Sequence, residues 1–214
     1  MESFLNNDGL VIVFDLIKVI QENKQYLSDI DGAIGDGDHG INMNKGFTIS
    51  QGQLQENPGD LSYGLRTLGQ VLITQIGGAM GPLYGMFFRS MARKCKGVDS
   101  IDAQVFGQMI TGAKEGIMGI SEAKPGDKTL MDVLVPADDA YQAALKDGCS
   151  FQECLDKMIE AAQNGRDSTI DMVAKVGRSS RLGERSRGVV DAGAASCCLI
   201  LETMASSIKG MLGG

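Results

Sequence analysis

The sequence predicts an all-α fold: a single domain over residues 1–214, built as an antiparallel up-and-down barrel or bundle of about eight helices. Three observations predict it. Apolar residues recur at helical spacing in segment after segment, no stretch alternates as a half-buried strand would, and glycine- or proline-containing breakers separate the segments at short intervals. The chain is long enough for one well-buried core and short for two.

The first helix is read from Val11, Phe14, Leu16, Ile17 and Ile20, in a segment running from Leu10 to Gln25, after which Asn23 to Asp31 leads into an acidic loop. Ile41 to Gln55 forms a second helix, stopped by Asn57-Pro58-Gly59. Asp60 or Ser62 caps a third, which runs to Ile76. Gly77-Gly78-Ala79-Met80-Gly81-Pro82 then leads into a fourth from Leu83 to Cys95, with Pro82 suited to a first turn. Ser100 is placed to cap a fifth from Ile101 to Ile120, and residues 121 to 128 read as a loop. Thr129 starts a sixth helix that Pro136 kinks or interrupts. The seventh starts at Phe151, bends at Gly165 and reaches Gly177; after a loop to Gly188, Asp191 and Gly193 open the eighth. If neighbouring helices run antiparallel, the loops 31–40, 77–82, 121–128 and 177–193 all fall at one end.

A net charge of −7 and a pI near 4.7 argue against nucleic-acid or anionic-membrane partners. Five cysteines at irregular spacing suggest neither a disulfide framework nor a zinc site, which favours a reducing cytoplasm. No apolar run is read as approaching the ~20 residues of a membrane span.

Chemistry concentrates in Asp31-Gly32-Ala33-Ile34-Gly35-Asp36-Gly37-Asp38-His39-Gly40-Ile41-Asn42. Converging aspartates repel by several kcal/mol at about 4 Å unless a cation lies between them, and oxygen donors beside a phosphate suit magnesium. Turn and N-cap chemistry is the alternative for such a cluster. A calcium loop starting at Asp36 fails, because its sixth position is Ile41 and its twelfth Phe47. The helix opening directly behind the aspartates, at His39, Gly40 and Asn42, favours a joint metal and anion site, since its first amides are donors for a phosphate oxygen. Gly126-Asp127-Lys128-Thr129 lacks the upstream glycine and strand of a P-loop; a helix cap at Thr129 and a nucleotide contact both remain open. Arg178, Arg181, Arg185 and Arg187 are either a solvated charge run or a phosphate clamp.

Four ordered segments, Ile34–Asn44, Gly77–Gly85, Pro125–Thr129 and Leu182–Ser186, resemble the L subunit of dihydroxyacetone kinase over nearly the whole chain. The resemblance implies an eight-helix barrel with a nucleotide at one rim and metal-assisted phosphoryl transfer. It implies that Asp31, Asp36 and Asp38 hold two Mg2+ ions, that Arg178 acts with them on the transferred group, and that ADP or ATP contacts His39, Gly40, Ile41, Asn42, Ala79, Met80, Ser121, Leu130, Arg178, Asp191, Ala192 and Gly193. Met80, Ala192 and Ser121 depart from the family, which often has serine, proline and glycine there. The family's partner K subunit captures the ketose on a histidine, and the donor is ATP or a phosphocarrier M subunit of a phosphotransferase system, with ADP then retained as a coenzyme. The phosphotransferase type is favoured for a free-standing L unit. A non-catalytic ADP-binding regulatory module is the alternative from another class, and a homodimer is left open.

Overall fold

The computed structural model describes residues 2–213. Among them lie nine α-helices: α1 (Leu10–Glu22), α2 (Lys24–Ile34), α3 (His39–Glu56), α4 (Leu61–Gln75), α5 (Met80–Cys95), α6 (Ala103–Met118), α7 (Met131–Lys146), α8 (Phe151–Ser168) and α9 (Ala192–Leu212). Helices α3 to α9 each pack against the next in the chain, and α1 packs against both α3 and α9, which closes an eight-membered ring. The expected all-α, up-and-down architecture is therefore present. Phe47, Phe87, Phe88, Leu16, Leu134 and Leu201 are fully buried in one continuous core.

Several elements differ from the expectation. Residues 24–34 form α2 rather than a path into a loop, and α2 rests on α3 and α9. Asn23 separates it from α1, with its backbone N–H and its side-chain amide both donating to Val19 O. The polar run Asn23-Lys24-Gln25 hid the short apolar stripe of Leu27, Ile30 and Ile34, of which Leu27 and Ile34 are buried.

Two strands are also present, β1 (Ser3–Leu5) and β2 (Ser100–Asp102), paired antiparallel with Phe4 opposite Ile101. Three residues are too few for alternation to register. Asp102, rather than Ser100, caps α6 by accepting from Val105 N–H at 2.9 Å.

Helix α7 begins at Met131, not Thr129, and runs through Pro136 without interruption. Proline lacks the N–H that would bond Asp132 O, and a Cβ on Gly165 would stand 2.2 Å from that same carbonyl. Gly165 thus seats α8 tightly on α7 instead of bending it. The backbone leaves helical geometry at Met172, after a 3-10 turn over Thr169–Asp171, well before Gly177.

Helix α9 corrects one further reading: by length and composition it could cross a membrane, with a mean hydropathy of 1.2. Cys197, Cys198, Ile200, Leu201 and Ile208 along it are fully buried, so its apolar stripe faces the barrel core.

Candidate functional site

At one rim of the barrel a cavity of about 330 Å³ is lined by residues from all four loops that the up-and-down reading placed together. Local chemistry fixes each contributor. Helix α2 ends as Gly35 N–H bonds Asp31 O, and a Cβ on Gly35 would lie 2.9 Å from that same backbone carbonyl, so the turn favours glycine. Gly37 follows at φ +76°, a left-handed conformation that glycine adopts without strain. The chain then re-enters a helix at His39, leaving the Asp38 carboxylate outside any capping bond.

Ligand oxygens of Asp31, Asp36 and Asp38 come within 4.8 Å of one another. Oxygens on opposite sides of a magnesium ion lie about 4.2 Å apart, so a small contraction fits the set to a hard cation. The Arg178 guanidinium pairs with Asp36 across the cavity mouth. His39 N–H donates to Asp31 Oδ2 at 3.2 Å, so the first amide of α3 is committed to the carboxylate, and Gly40 and Ile41 supply the free donors among the described residues.

Beneath the carboxylates a buried polar chain reaches into the core. His39 Nε2 lies 2.8 Å from Ser196 Oγ, Ser196 Oγ lies 2.6 Å from the Tyr84 hydroxyl, and Tyr84 donates to Gly193 O at 3.0 Å. The Tyr84 ring packs on Phe87 and Phe88, which anchors this chain to the aromatic core. Burial pushes the His39 imidazole down to about 4, against the opposing pull of Asp31, and so holds it neutral. Burial pushes Asp191 up to about 7, partly offset by the Ala194 N–H that its carboxylate caps and by nearby Lys128.

The family model described as the DAK2 domain matches residues 33–206. The chain belongs to the DAK2 domain family. This DAK2 chain is 40% identical over 188 residues to "PEP-dependent dihydroxyacetone kinase 1, ADP-binding subunit DhaL" of Listeria innocua serovar 6a, covering 86% of this chain and 88% of that protein. It is 34% identical over 192 residues to the corresponding ADP-binding subunit DhaL of Escherichia coli strain K12, covering 89% and 91%. Its fold is similar to that of the dihydroxyacetone kinase from C. freundii in complex with AMP-PNP and Mg2+, at a TM-score of 0.67 and 22% identity, over 93% of this chain and 33% of that one.

Of the residues expected at the DAK2 site, Asp31, Asp36, Asp38, His39, Asn42, Ala79, Met80, Ser121, Leu130, Arg178, Asp191 and Gly193 line the cavity. Gly40, Ile41 and Ala192 do not. Gly40 is pressed against α2, where a Cβ would stand 2.1 Å from Lys24 O; Ile41 is 52% exposed; Ala192 is buried under the start of α9. The Ser121 hydroxyl accepts from Ala123 N–H, and the Met80 side chain packs partly against the core. In Gly126-Asp127-Lys128-Thr129 the two residues divide: Thr129 lines the cavity, while the Lys128 ammonium turns away to backbone carbonyls. Sequence reasoning missed Tyr84, Ile117 and Met131 on the wall. Tyr84 had a readable signal, lying one helical turn beyond Met80 in the same motif, whereas Ile117 carries none.

Proposed function

We propose that this chain is the nucleotide-holding, phosphoryl-transfer subunit of a kinase acting on dihydroxyacetone or a related small ketose, and that it works as a single domain in the cytoplasm with a separate K subunit carrying the ketose. One observation carries the reading: three converging carboxylates, an arginine and a helix N-terminus share one cavity, in a chain whose relatives are named as ADP-binding kinase subunits. Both of those relatives are named as PEP-dependent, which supports a phosphotransferase-system donor delivered by a phosphocarrier M subunit, with ADP retained.

Asp31, Asp36 and Asp38 would hold two Mg2+ ions, which when bound supply charge neutralisation to the nucleotide phosphates. The chain's own residues bind and orient. His39 and Asn42, in the first turn of α3, line the cavity beside the phosphates, whose charge the start of that helix favours, and the apolar wall of Leu83, Ile117, Leu130 and Met131 receives the base and excludes water. Arg178 swings from Asp36 to the moving phosphoryl group and offsets its charge in the in-line transfer. In the forward step the bond from the γ-phosphorus of ATP, supplied as such or formed in place when the carrier phosphorylates bound ADP, to its β,γ-bridging oxygen would break, a bond to the ketose hydroxyl oxygen would form, ADP would be left, and the hydroxyl proton would pass to a base on the partner. The only histidine, His39, is committed to the cavity, so the chain has no second one with which to capture a ketose.

Turnover measured with purified chain, Mg2+, dihydroxyacetone and either ATP or a phosphorylated carrier, with and without a K subunit, tests this. Product is expected only when the K subunit is present. Dihydroxyacetone phosphate formed by the isolated chain with either donor overturns the division of labour, and no product with any partner and donor overturns the kinase reading.

A further inference from the structure

Lys128 is 1% exposed, yet no carboxylate pairs with its ammonium among the described residues. Its three donors go instead to Met172 O at 3.2 Å, Ser186 O at 2.5 Å and Val189 O at 2.7 Å, which accounts for all three N–H bonds. Those carbonyls stand at the two feet of one loop. Met172 lies on the incoming side, Ser186 and Val189 on the outgoing side, and the feet are tied again where Ala174 N–H donates to Ser186 Oγ at 2.9 Å. Between them residues 175–185 form a hoop, and the Arg178 side chain reaches from it to Asp36.

The backbone at Lys128 has φ +63°, the one left-handed non-glycine residue among the described residues. Such a conformation is costly for a residue with a Cβ and persists where the surroundings over-determine it. Here it turns the stem of Lys128 under the hoop while delivering the next two residues, Thr129 and Leu130, to the cavity wall. One residue therefore joins the wall that faces the nucleotide to the loop that carries the arginine.

We propose that Lys128 is a positioning residue: its ammonium pins both feet of the 175–185 hoop and so sets where Arg178 stands over the transferred phosphoryl group. The proposal rests on the reading of Arg178 given above. A side chain that merely filled space would need no ammonium, and one that merely stabilised the barrel would bond to helices. Lys128 bonds only to the base of this loop.

The hoop reports on itself, because Lys175, Arg178, Arg181 and Arg185 are all trypsin sites. Lys128→Met keeps the apolar stem and removes the donors. Under native conditions, with products mapped by mass spectrometry, cleavage inside the hoop is expected to accelerate by about tenfold or more, the equivalent of one lost charge-assisted hydrogen bond, while cleavage at helical sites such as Lys18 and Lys94 keeps its wild-type rate. If Lys128→Met does not fold, Lys128→Gln, which retains a shorter neutral donor, is expected to show the same selective acceleration.

In the reconstituted kinase, Lys128→Met is expected to lower kcat by about tenfold with Mg-ADP affinity within about threefold of wild type, and to lower it no further in an Arg178→Ala background. Hoop cleavage at the wild-type rate in the folded variant, or acceleration spread equally over all sites, overturns the proposal. So does a loss of kcat that adds in full to that of Arg178→Ala. If Arg178→Ala alone keeps wild-type turnover, the reading of Arg178 fails and the positioning role fails with it, whereas selective cleavage would still stand as evidence for the pin itself.

Discussion

Asp36→Asn should change stability in opposite directions with and without Mg-ADP. In the free chain its carboxylate is one of three whose oxygens lie within 4.8 Å. Unit charges at that separation repel by about 3.5 kcal/mol at an effective dielectric of 20 and by about 0.9 kcal/mol in bulk water. All three groups are partly open to solvent, so roughly 1 kcal/mol per pair is the relevant scale. The substitution relieves two such pairs and gives up the ion pair with Arg178, whose side chain is 57% exposed and which contributes about 0–1 kcal/mol. The ligand-free variant is therefore expected to be as stable as wild type or up to about 2 kcal/mol more stable. Mg-ADP at a hundred times its Kd adds about 2.7 kcal/mol to wild type. For a chain of this size that is a rise in Tm of about 5–11 °C, and the variant, lacking one of three ligands, should lose most of it. Thermal unfolding in EDTA and in saturating Mg-ADP reads both numbers. A wild-type increment with Mg-ADP in the variant, or a clear drop in its ligand-free Tm, would refute the assignment of Asp36 to the cation.

Met80→Ser places a hydroxyl at the first position of α5, on the cavity wall; calorimetry should find ADP affinity kept or tightened by up to about tenfold, and weakened binding would mean that the thioether packs on the nucleotide. Asp191 and His39 have opposite linkage. Asp191, raised from 3.8 to about 7, contributes stability at low pH that is lost as pH rises through 7, whereas His39, lowered from 6.5 to about 4, contributes stability above 6.5 that is lost as pH falls towards 4. The two offset each other between about pH 4 and 6.5, so Asp191→Asn, which keeps the cap, should lose about 3 kcal/mol more than wild type on acidification across that window; parallel pH profiles of Tm for the two proteins would contradict this.

What the sequence made legible was the chemistry written locally. Asp60 and Asp191 cap α4 and α9 as their spacing indicated, each accepting the N–H three residues on. The breaker at 57–59 falls between helices, whereas of 77–82 only Gly77 to Ala79 do, since α5 starts at Met80 rather than Leu83 with Pro82 in its first turn; the convergence of four loops followed from antiparallel order alone. What stayed hidden depends on partners distant in the chain. The pairing of Ser3–Leu5 with Ser100–Asp102 joins segments too short to carry a period. Ser196 shows no local sign that it lies between His39 and Tyr84. Lys128 sits in a stretch that resembles phosphate-binding chemistry, and only the positions of Met172, Ser186 and Val189 turn its ammonium elsewhere.

The topology itself explains why this rim suits a metal–polyphosphate pair. An up-and-down ring brings alternating helix starts and helix ends to each rim, so the dipoles of a symmetric ring would cancel there. Here they do not, because the two kinds of end are set at different depths. The starts of α3, α5, α7 and α9 reach the cavity wall through His39, Met80, Met131 and Gly193. The ends of α4 and α8 stand back from it, at Gln75 and Ser168, behind connecting loops. Four partial positive charges thus face the space where phosphates would lie. The ends of α2 and α6 are the exceptions: Ile117, in the last turn of α6, lies on the apolar wall, and α2 carries Asp31 in its last turn, next to Asp36 and Asp38. A carboxylate is disfavoured at a helix C-terminus, so this corner is more negative than the aspartates alone would make it. The cavity is therefore polarised, with a corner that asks for cations beside a wall that asks for anions. A free nucleotide satisfies only the wall and a free cation only the corner, whereas their complex satisfies both. Binding of ADP and of Mg2+ should accordingly be mutually dependent, each strengthening the other by the same factor.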